Sequence, residues 1–328
     1  MRRADVSAYR HPATGRPLEL EVERAEGEEV LEGSFVADGD RFPIIEAIPR
    51  FCPLQNYAAS FGYQWSAFPT RQLDSRHAWG GQSARRLFAE TGWPPRMEGQ
   101  TILETGSGMG RFTEVLAQTG AEVFTFDSSL SIVSNLRNNG PFVNVHFAQA
   151  DVYAPPFAAG SFDKVLCLGM LQHTPSPGDA FSSLTRFLKP GGEIVVDVYR
   201  LSWRCLLMAK YYLRPLTHRL SPQALLRLVR FQVGWVFPFT GWIQRRVTRR
   251  GRNLSWVLGV ADYRGLFEMD DATARELAEL DSFDMFAPAY DRPQTLRAVR
   301  SWFAEAGLVD VVVEPGYNGI QGRGRRPG

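Results

Sequence analysis

The chain has 328 residues, of which 44% are apolar and 22% charged, and its formal net charge is +2. Such a chain has ample core for one large domain or two modest ones, and its near-balanced charge excludes a surface given over wholly to nucleic acid. Three cysteines, Cys52, Cys167 and Cys205, are too few and too scattered for a disulfide framework.

The amino terminus, MRRADVSAYRHP, lacks the apolar stretch of a signal peptide. No run of apolar residues is long enough to span a bilayer, so a cytoplasmic chain without a transmembrane segment is expected. In residues 1–55, Leu18, Leu20 and Val22 alternate with Glu19, Glu21 and Glu23. A second extended piece covers 30–36, FPII and IPRF follow, and Gly27 and Gly39 supply turns. That pattern predicts a small β module. Residues 56–100 are rich in aromatics and predict short helices, the clearest over 85–91, closed by Gly92 and the Pro94-Pro95 breaker.

The chain is organised around residues 101–127, TILETGSGMGRFTEVLAQTGAEVFTFD. A strand over 101–103 leads to Glu104 and then to glycines at alternate positions, Gly106, Gly108 and Gly110. A helix-period segment follows with Phe112, Val115, Leu116 and Thr119 on one face, and a second apolar run, 123–126, ends on Asp127. Alternate glycines permit φ > 0 in a tight turn and let backbone approach a ligand. An acidic side chain at the tip of the second strand can accept hydrogen bonds from a ribose diol. The dinucleotide spacing G-x-G-x-x-G is not met, because Arg111 holds its third position and glycine falls one residue earlier. Taken alone, the pattern also fits a glycine turn that merely packs a helix on a sheet.

A helix over 129–139 follows, opened by Ser128 or Ser129 and stopped by Gly140-Pro141. A third strand over 143–150 ends at Asp151-Val152, one βα unit after Asp127, which puts both carboxylates on one rim. Pro155-Pro156-Phe157 and Gly160-Ser161-Phe162-Asp163 lead into a strand over 164–169. Leu171-Gln172-His173-Thr174-Pro175 comes next, then a helix over 179–188, Lys189-Pro190-Gly191-Gly192, and a strand over 193–199. An amphipathic helix over 293–306 and extended pieces over 308–313 and 317–322 close the chain. Between them lie residues 200–292. The first part, 200–261, has twelve Arg or Lys and no Asp or Glu, many aromatics, and a helix start at Ser221-Pro222; an acidic helix over 269–280 follows.

The E-x-G-x-G-x-G run (104–110), the segment 155–165, the LQHTP turn and LKPGG resemble, in order and spacing, the motifs of class I S-adenosylmethionine (SAM) methyltransferases of the bacterial small-molecule type. The resemblance implies an α/β, Rossmann-like seven-stranded sheet whose last two strands are antiparallel. It divides the chain into a β module (1–55), a helical cofactor-covering segment (56–100), a SAM-binding core (101–199), a helical lid inserted between strands five and six (200–292), and a closing helix and two strands (293–328). It implies SAM as cofactor. Glu104 would hold the methionine ammonium, Gly106 and Gly108 would line the approach, Asp127 would take the ribose, and Ser107 and Ser128 would also touch the cofactor. Asp151 and Val152 would meet the adenine, and the backbone of Gly169 the sulfonium side. Tyr63 and Gln64, in the FGYQW run, would fold over the methionine end, or that run simply covers the sheet edge.

The amino-terminal module resembles a zinc ribbon that has lost its ligands: His11, Thr14, Ala37 and Asp40 stand where four cysteines would be, so no metal is expected and His11 reads as a surface-loop histidine. The implied activity is in-line methyl transfer to a small-molecule acceptor, a specialised metabolite, with oxygen favoured over nitrogen or carbon. Alternatives are a sugar or lipid-linked acceptor, SAM binding without methylation, and, least favoured, a nucleic-acid substrate. The last is disfavoured because the turn after strand four reads Gly169-Met170-Leu171-Gln172 and Cys167 lies mid-strand. His173 is the candidate base, or it orders its own turn; His77 and Asp291 are weaker candidates. The basic stretch is either a lid over the acceptor or a surface for an anionic partner or membrane interface, and a homodimer is left open.

Overall fold

A computed structural model describes residues 1–76, 81–247, 252–264 and 269–328; His77 lies outside them. The first four strands, β1 (Glu19–Glu26), β2 (Glu29–Ala37), β3 (Asp40–Ile45) and β4 (Ile48–Pro49), form an antiparallel sheet in sequence order. The alternation of Leu and Val with Glu in β1 turns one face inward and leaves the glutamates exposed. This small sheet sits on the edge of the main one: Phe51 N–H donates to the Gln149 carbonyl (2.8 Å) and the Arg50 guanidinium to the Gln149 side chain (3.0 Å). Tyr9, fully buried, packs among Phe35, Phe51 and Phe157 and joins the two sheets in one core. His11 is buried, not a surface-loop residue. Its Nε2 lies 2.9 Å from Asp40 Oδ2, its Nδ1 accepts from the Ala13 and Thr14 N–H groups, and its ring packs edge-on against Phe42. The ring thereby ties the loop after Arg10 to the β2–β3 turn.

Two helices, α1 (Ala59–Ala67) and α2 (Gln82–Thr91), lead into the main sheet. That sheet comprises β5 (Thr101–Thr105), β6 (Glu122–Asp127), β7 (Val145–Gln149), β8 (Phe162–Cys167), β9 (Leu188–Val198), β10 (Val309–Gly316) and β11 (Gly319–Arg325), in the order β10-β11-β9-β8-β5-β6-β7. The pairs from β7 to β9 are parallel; β11 runs antiparallel to both β9 and β10. Helices α3 (Arg111–Ala117), α4 (Ser131–Asn139) and α5 (Pro177–Thr185) cover its faces. The unbroken apolar run Val165-Leu166-Cys167 of β8 is what burial on both faces demands. Helix α4 starts two residues later than its serines predict: Ser129 Oγ bonds inward to Asp127 and Ser131. LKPGG, predicted as a helix end, lies within β9.

The insertion supplies α6 (Ala209–Thr217), α7 (Pro222–Val247), α8 (Arg252–Val257) and α9 (Asp271–Phe286), before α10 (Leu296–Glu305) returns the chain to the sheet. Leu225, Val229, Val233 and Phe237 of α7 pack on Ala274, Leu277 and Phe283 of α9, a separate core that reaches Phe68, next to α1. Asp270 caps α9 by accepting from Thr273 N–H (2.7 Å).

Candidate active site

The cavity of interest has a volume of about 580 Å³ and lies over the carboxyl ends of β5, β6, β8 and β9, beneath α1 and the insertion. This is where open parallel sheets bind ligands, because strand order reverses there and the loops diverge.

The loop after β5 forms its floor. Gly106 (φ +67°) and Gly108 (φ +57°) are in the left-handed region. A Cβ on Gly106 would lie 2.3 Å from Met170 Cγ, and one on Gly108 3.0 Å from Trp65 Nε1. Glycine is therefore required there for both conformation and space. Asp127, at the tip of β6, is nearly buried and lines the cavity. Its Oδ1 accepts from Ser129 N–H and Oγ–H (2.8 and 2.7 Å) and its Oδ2 from Gly108 N–H (3.0 Å). Two lone pairs on Oδ1 are thus used, and one remains on Oδ2 for a ligand hydroxyl.

Gln64, Gly106, Ser107, Gly108, Asp127, Ser128, Val152, Gly169 and His173 all line this cavity. Glu104, Tyr63 and Asp151 do not. Glu104 faces beneath the glycine loop, where its Oε2 accepts from Thr113 Oγ–H (2.5 Å) and Thr125 Oγ–H (2.9 Å) while Oε1 is buried without a partner. Burial pushes this carboxyl up to about 7, against the pull of the two threonines. Its position is that of a residue holding α3 and β6 to the loop. Tyr63 points from α1 to the insertion, its ring 5.9 Å from Phe283. Asp151 accepts from Tyr57 O–H (3.3 Å) and its own turn, so the cavity wall at that point is Tyr57 and Val152. On α1 the helical spacing brings Phe61, Gln64 and Trp65 to the cavity; Gln64 Oε1 is buried without a partner.

His173 sits on the turn after β8, buried between the rings of Phe61 (5.0 Å) and Tyr199 (5.5 Å). Its Nδ1 is 3.0 Å from the Tyr290 carbonyl. A carbonyl only accepts, so Nδ1 carries the proton and Nε2 is left as the basic nitrogen. Burial lowers the imidazole below its ordinary value; Asp284 opposes this, and Arg214 and Lys210 reinforce it. The ring is neutral at pH 7. Asp291 is not a second base: fully buried and away from the cavity, it accepts from Lys210 Nζ (2.7 Å) and Arg214 (2.6 Å).

Several wall residues have no signal in sequence. Arg86 of α2 bonds Asp197 of β9 and Glu90 (2.8 Å), and its guanidinium lies 4.7 Å from the Tyr317 ring. Asp197 also accepts from Gly169 N–H, fixing the turn that leads to His173. Arg111, which spoils the dinucleotide spacing, is a cavity residue bonded to Ser83 Oγ (3.0 Å); burial, then the charge of Arg86, lowers it to about 10, so it remains cationic. Tyr263 donates to Asp281, whose carboxyl burial raises to about 6. The helical register of 61, 64 and 65 could have revealed the α1 set; the Arg86–Asp197 pair joins residues 111 apart and could not.

Residues 103–196 match the family model described as a methyltransferase domain. Among curated relatives, the ubiquinone biosynthesis O-methyltransferase of Aromatoleum aromaticum is 30% identical over 117 residues, 34% of this chain and 50% of that protein. The enzyme of the same name from Methylococcus capsulatus is 28% identical over 144 residues, 43% and 59% of the two chains. The chain thus spans about half the length of the curated relatives it matches. Similar solved structures include human N-acetylserotonin methyltransferase in complex with SAM (13% identity, TM-score 0.44, covering 83% of this chain and 58% of that one). Another is the 1,6-didemethyltoxoflavin-N1-methyltransferase of Burkholderia thailandensis (14% identity, TM-score 0.42, covering 94% and 100%). Residues 103–196 are a methyltransferase domain of the class I, SAM-dependent kind, set in a seven-stranded Rossmann-like sheet, and SAM is its cofactor.

Proposed function

We propose that this chain transfers a methyl group from SAM to a hydroxyl oxygen of a small, planar organic acceptor, with His173 Nε2 as the base. The observation that carries the reading is the Nδ1–H···O=C bond to Tyr290, which fixes a neutral imidazole with its basic nitrogen free in the cavity it shares with Asp127 and the glycine loop. The residues fit the cofactor. The loop at Gly106 and Gly108 leaves space that a Cβ would fill, Asp127 Oδ2 keeps a lone pair for the ribose, and the partnerless Gln64 Oε1 suits a donor at the amino-acid end. Val152 and Ser128 line the adenosine side, and Gly169 the turn leading to His173.

SAM, when bound, supplies a methyl group on a sulfonium that is already a good leaving group. The chain's task is to position, to exclude water and to take one proton. Alignment of the two reactants contributes roughly 7–11 kcal/mol of barrier reduction. His173 Nε2 removes the hydroxyl proton as the oxygen acquires its methyl, and the imidazolium is held by the Tyr290 carbonyl and eased by Asp284. Tyr199, Tyr211, Trp256 and Tyr263 give an aromatic wall for the acceptor. The names of the matched relatives, O-methyltransferases, support oxygen as the nucleophile.

The test pairs two variants in an assay with labelled SAM and a panel of hydroxylated aromatic acceptors, read by mass spectrometry. His173→Ala is expected to lower turnover about 10²–10⁴-fold with SAM affinity by calorimetry unchanged. Asp127→Ala is expected to weaken SAM binding at least about tenfold, the loss of a charged hydrogen-bond acceptor. Turnover of His173→Ala within threefold of wild type would remove the base; unchanged affinity in Asp127→Ala would remove the ribose ligand.

A further inference from the structure

Helix α7 is apolar on two faces. One face, with Leu225, Val229, Val233 and Phe237, is buried against α9. On the other, Leu228, Phe231, Trp235 and Phe239 recur at helical spacing and are exposed, Trp235 to 72% and Phe231 to 66%. A helix that is apolar all round ordinarily has both faces covered. The segment before it repeats the pattern: Leu206, Tyr212, Leu213 and Leu216 are exposed while Lys210 and Arg214 are buried against Asp291. Of the 21 exposed large apolar side chains among the described residues, 14 fall within 200–261, so the exposure is concentrated in one region. No helix among the described residues is long and apolar enough to cross a membrane.

We propose that this outer face of the insertion docks on the surface of an anionic phospholipid bilayer, with α7 lying in the interface. Charge decides the occupant. Residues 200–261 carry twelve Arg or Lys and no carboxylate, and Arg219 and Arg227 are exposed beside the apolar stripe. Of the acidic residues that follow, Asp262 is buried against Arg264, and those of α9 lie on the side of α7 that faces the protein; Glu279, for one, meets Arg230 there (3.1 Å). A second copy docked face to face would oppose basic surface to basic surface, since a two-fold contact is self-complementary. A nucleic acid would use the cations but leave the Leu, Phe and Trp stripe in water. An anionic bilayer takes both, with cations at the headgroups and aromatic and aliphatic side chains at the acyl boundary. The same segment reaches the active site: Arg200, Ser202, Cys205 and Met208 line the cavity and alternate with exposed Leu201, Leu206 and Leu207. The docking stands independently of the methyl-transfer reading.

The experiment is co-sedimentation of the full chain with vesicles of phosphatidylcholine alone and of phosphatidylcholine with about one third phosphatidylglycerol. The chain is expected to sediment with the anionic vesicles and to be released by salt. The double variant Phe231→Glu, Trp235→Glu is expected to lose binding at least about tenfold, and Arg219→Glu, Arg227→Glu about as much. In both, circular dichroism and thermal midpoint should match wild type; the arginine pair keeps the test open if the first pair unfolds. Equal sedimentation with neutral and anionic vesicles, or none with either, would overturn the proposal. So would a two-chain mass by light scattering that Trp235→Glu reduces to one. An RNA gel shift abolished by the arginine pair, without vesicle binding, would reassign the face.

Discussion

At the residue scale, two buried ionisable groups make opposite pH claims. His173 is lowered below its ordinary value by burial, so it must lose its proton before it can accept one from substrate. The value of kcat/KM is therefore expected to rise with pH along an acid limb whose midpoint lies below 6.5, the unperturbed imidazole value. A pH–rate profile checks this, and a limb above 6.5 would contradict it. Glu104 is raised to about 7 by burial. The folded state holds this proton more tightly than the unfolded chain does. The stability it confers is thus complete below the ordinary carboxyl range and lost as pH climbs through 7. Urea unfolding of the cofactor-free protein should show Glu104→Gln gaining stability relative to wild type at pH 8 and little difference at pH 4.5. That Gly106, Gly108, Asp127 and His173 line one cavity was legible from sequence because their placement is local: backbone freedom, a strand tip, a turn. Glu104 was misplaced because a strand residue's side chain can go above or below the sheet rim, and only the Thr113 and Thr125 hydroxyls below it decide which.

At the element scale, the site is built by α1 and the loop after β5 closing on each other. Trp65 of α1 packs over Gly108, and Met170, from the turn after β8, packs over Gly106. Gly106→Val is expected to abolish SAM binding by calorimetry, because its Cβ would meet Met170 and the residue would be forced to a positive φ, a cost on the order of 1–3 kcal/mol. Gly99→Ala makes a fair control, since its φ is also positive but nothing lies near its Cβ; it should bind SAM as wild type does. Sequence read the FGYQW run as a cover of the cofactor or of the sheet edge and named Tyr63 and Gln64; Gln64 lines the cavity, whereas the Tyr63 ring turns to the insertion. A nine-residue helix with aromatics at 61, 63 and 65 has no unambiguous inner face until its neighbours are known.

At the scale of the whole molecule, buried charge ties the start of the insertion to its end. Asp291 receives Lys210 and Arg214, and Arg214 also donates to the Met285 carbonyl (3.1 Å). The same segment, through Tyr290, holds His173. Asp291→Asn leaves two buried cations without their anion, and is expected to cost about 3–5 kcal/mol in urea unfolding. A loss below about 1 kcal/mol, the level of an exposed pair, would mean that the pair is solvated. The sequence by itself determined the strand–loop–helix unit around 101–127, the succession of strands and helices along the core and the presence of a long basic insertion. Those depend on hydrophobic period, composition and turn residues a few positions apart; the antiparallel closing pair was what the family resemblance implied. Only the tertiary structure decided that His11 is buried, that Arg86 meets Asp197, that Asp291 is spent on an ion pair, and which face of α7 is covered. Each of these depends on contacts between residues far apart in the chain, and a helix apolar on both sides gives no local reason for either to be the inner one.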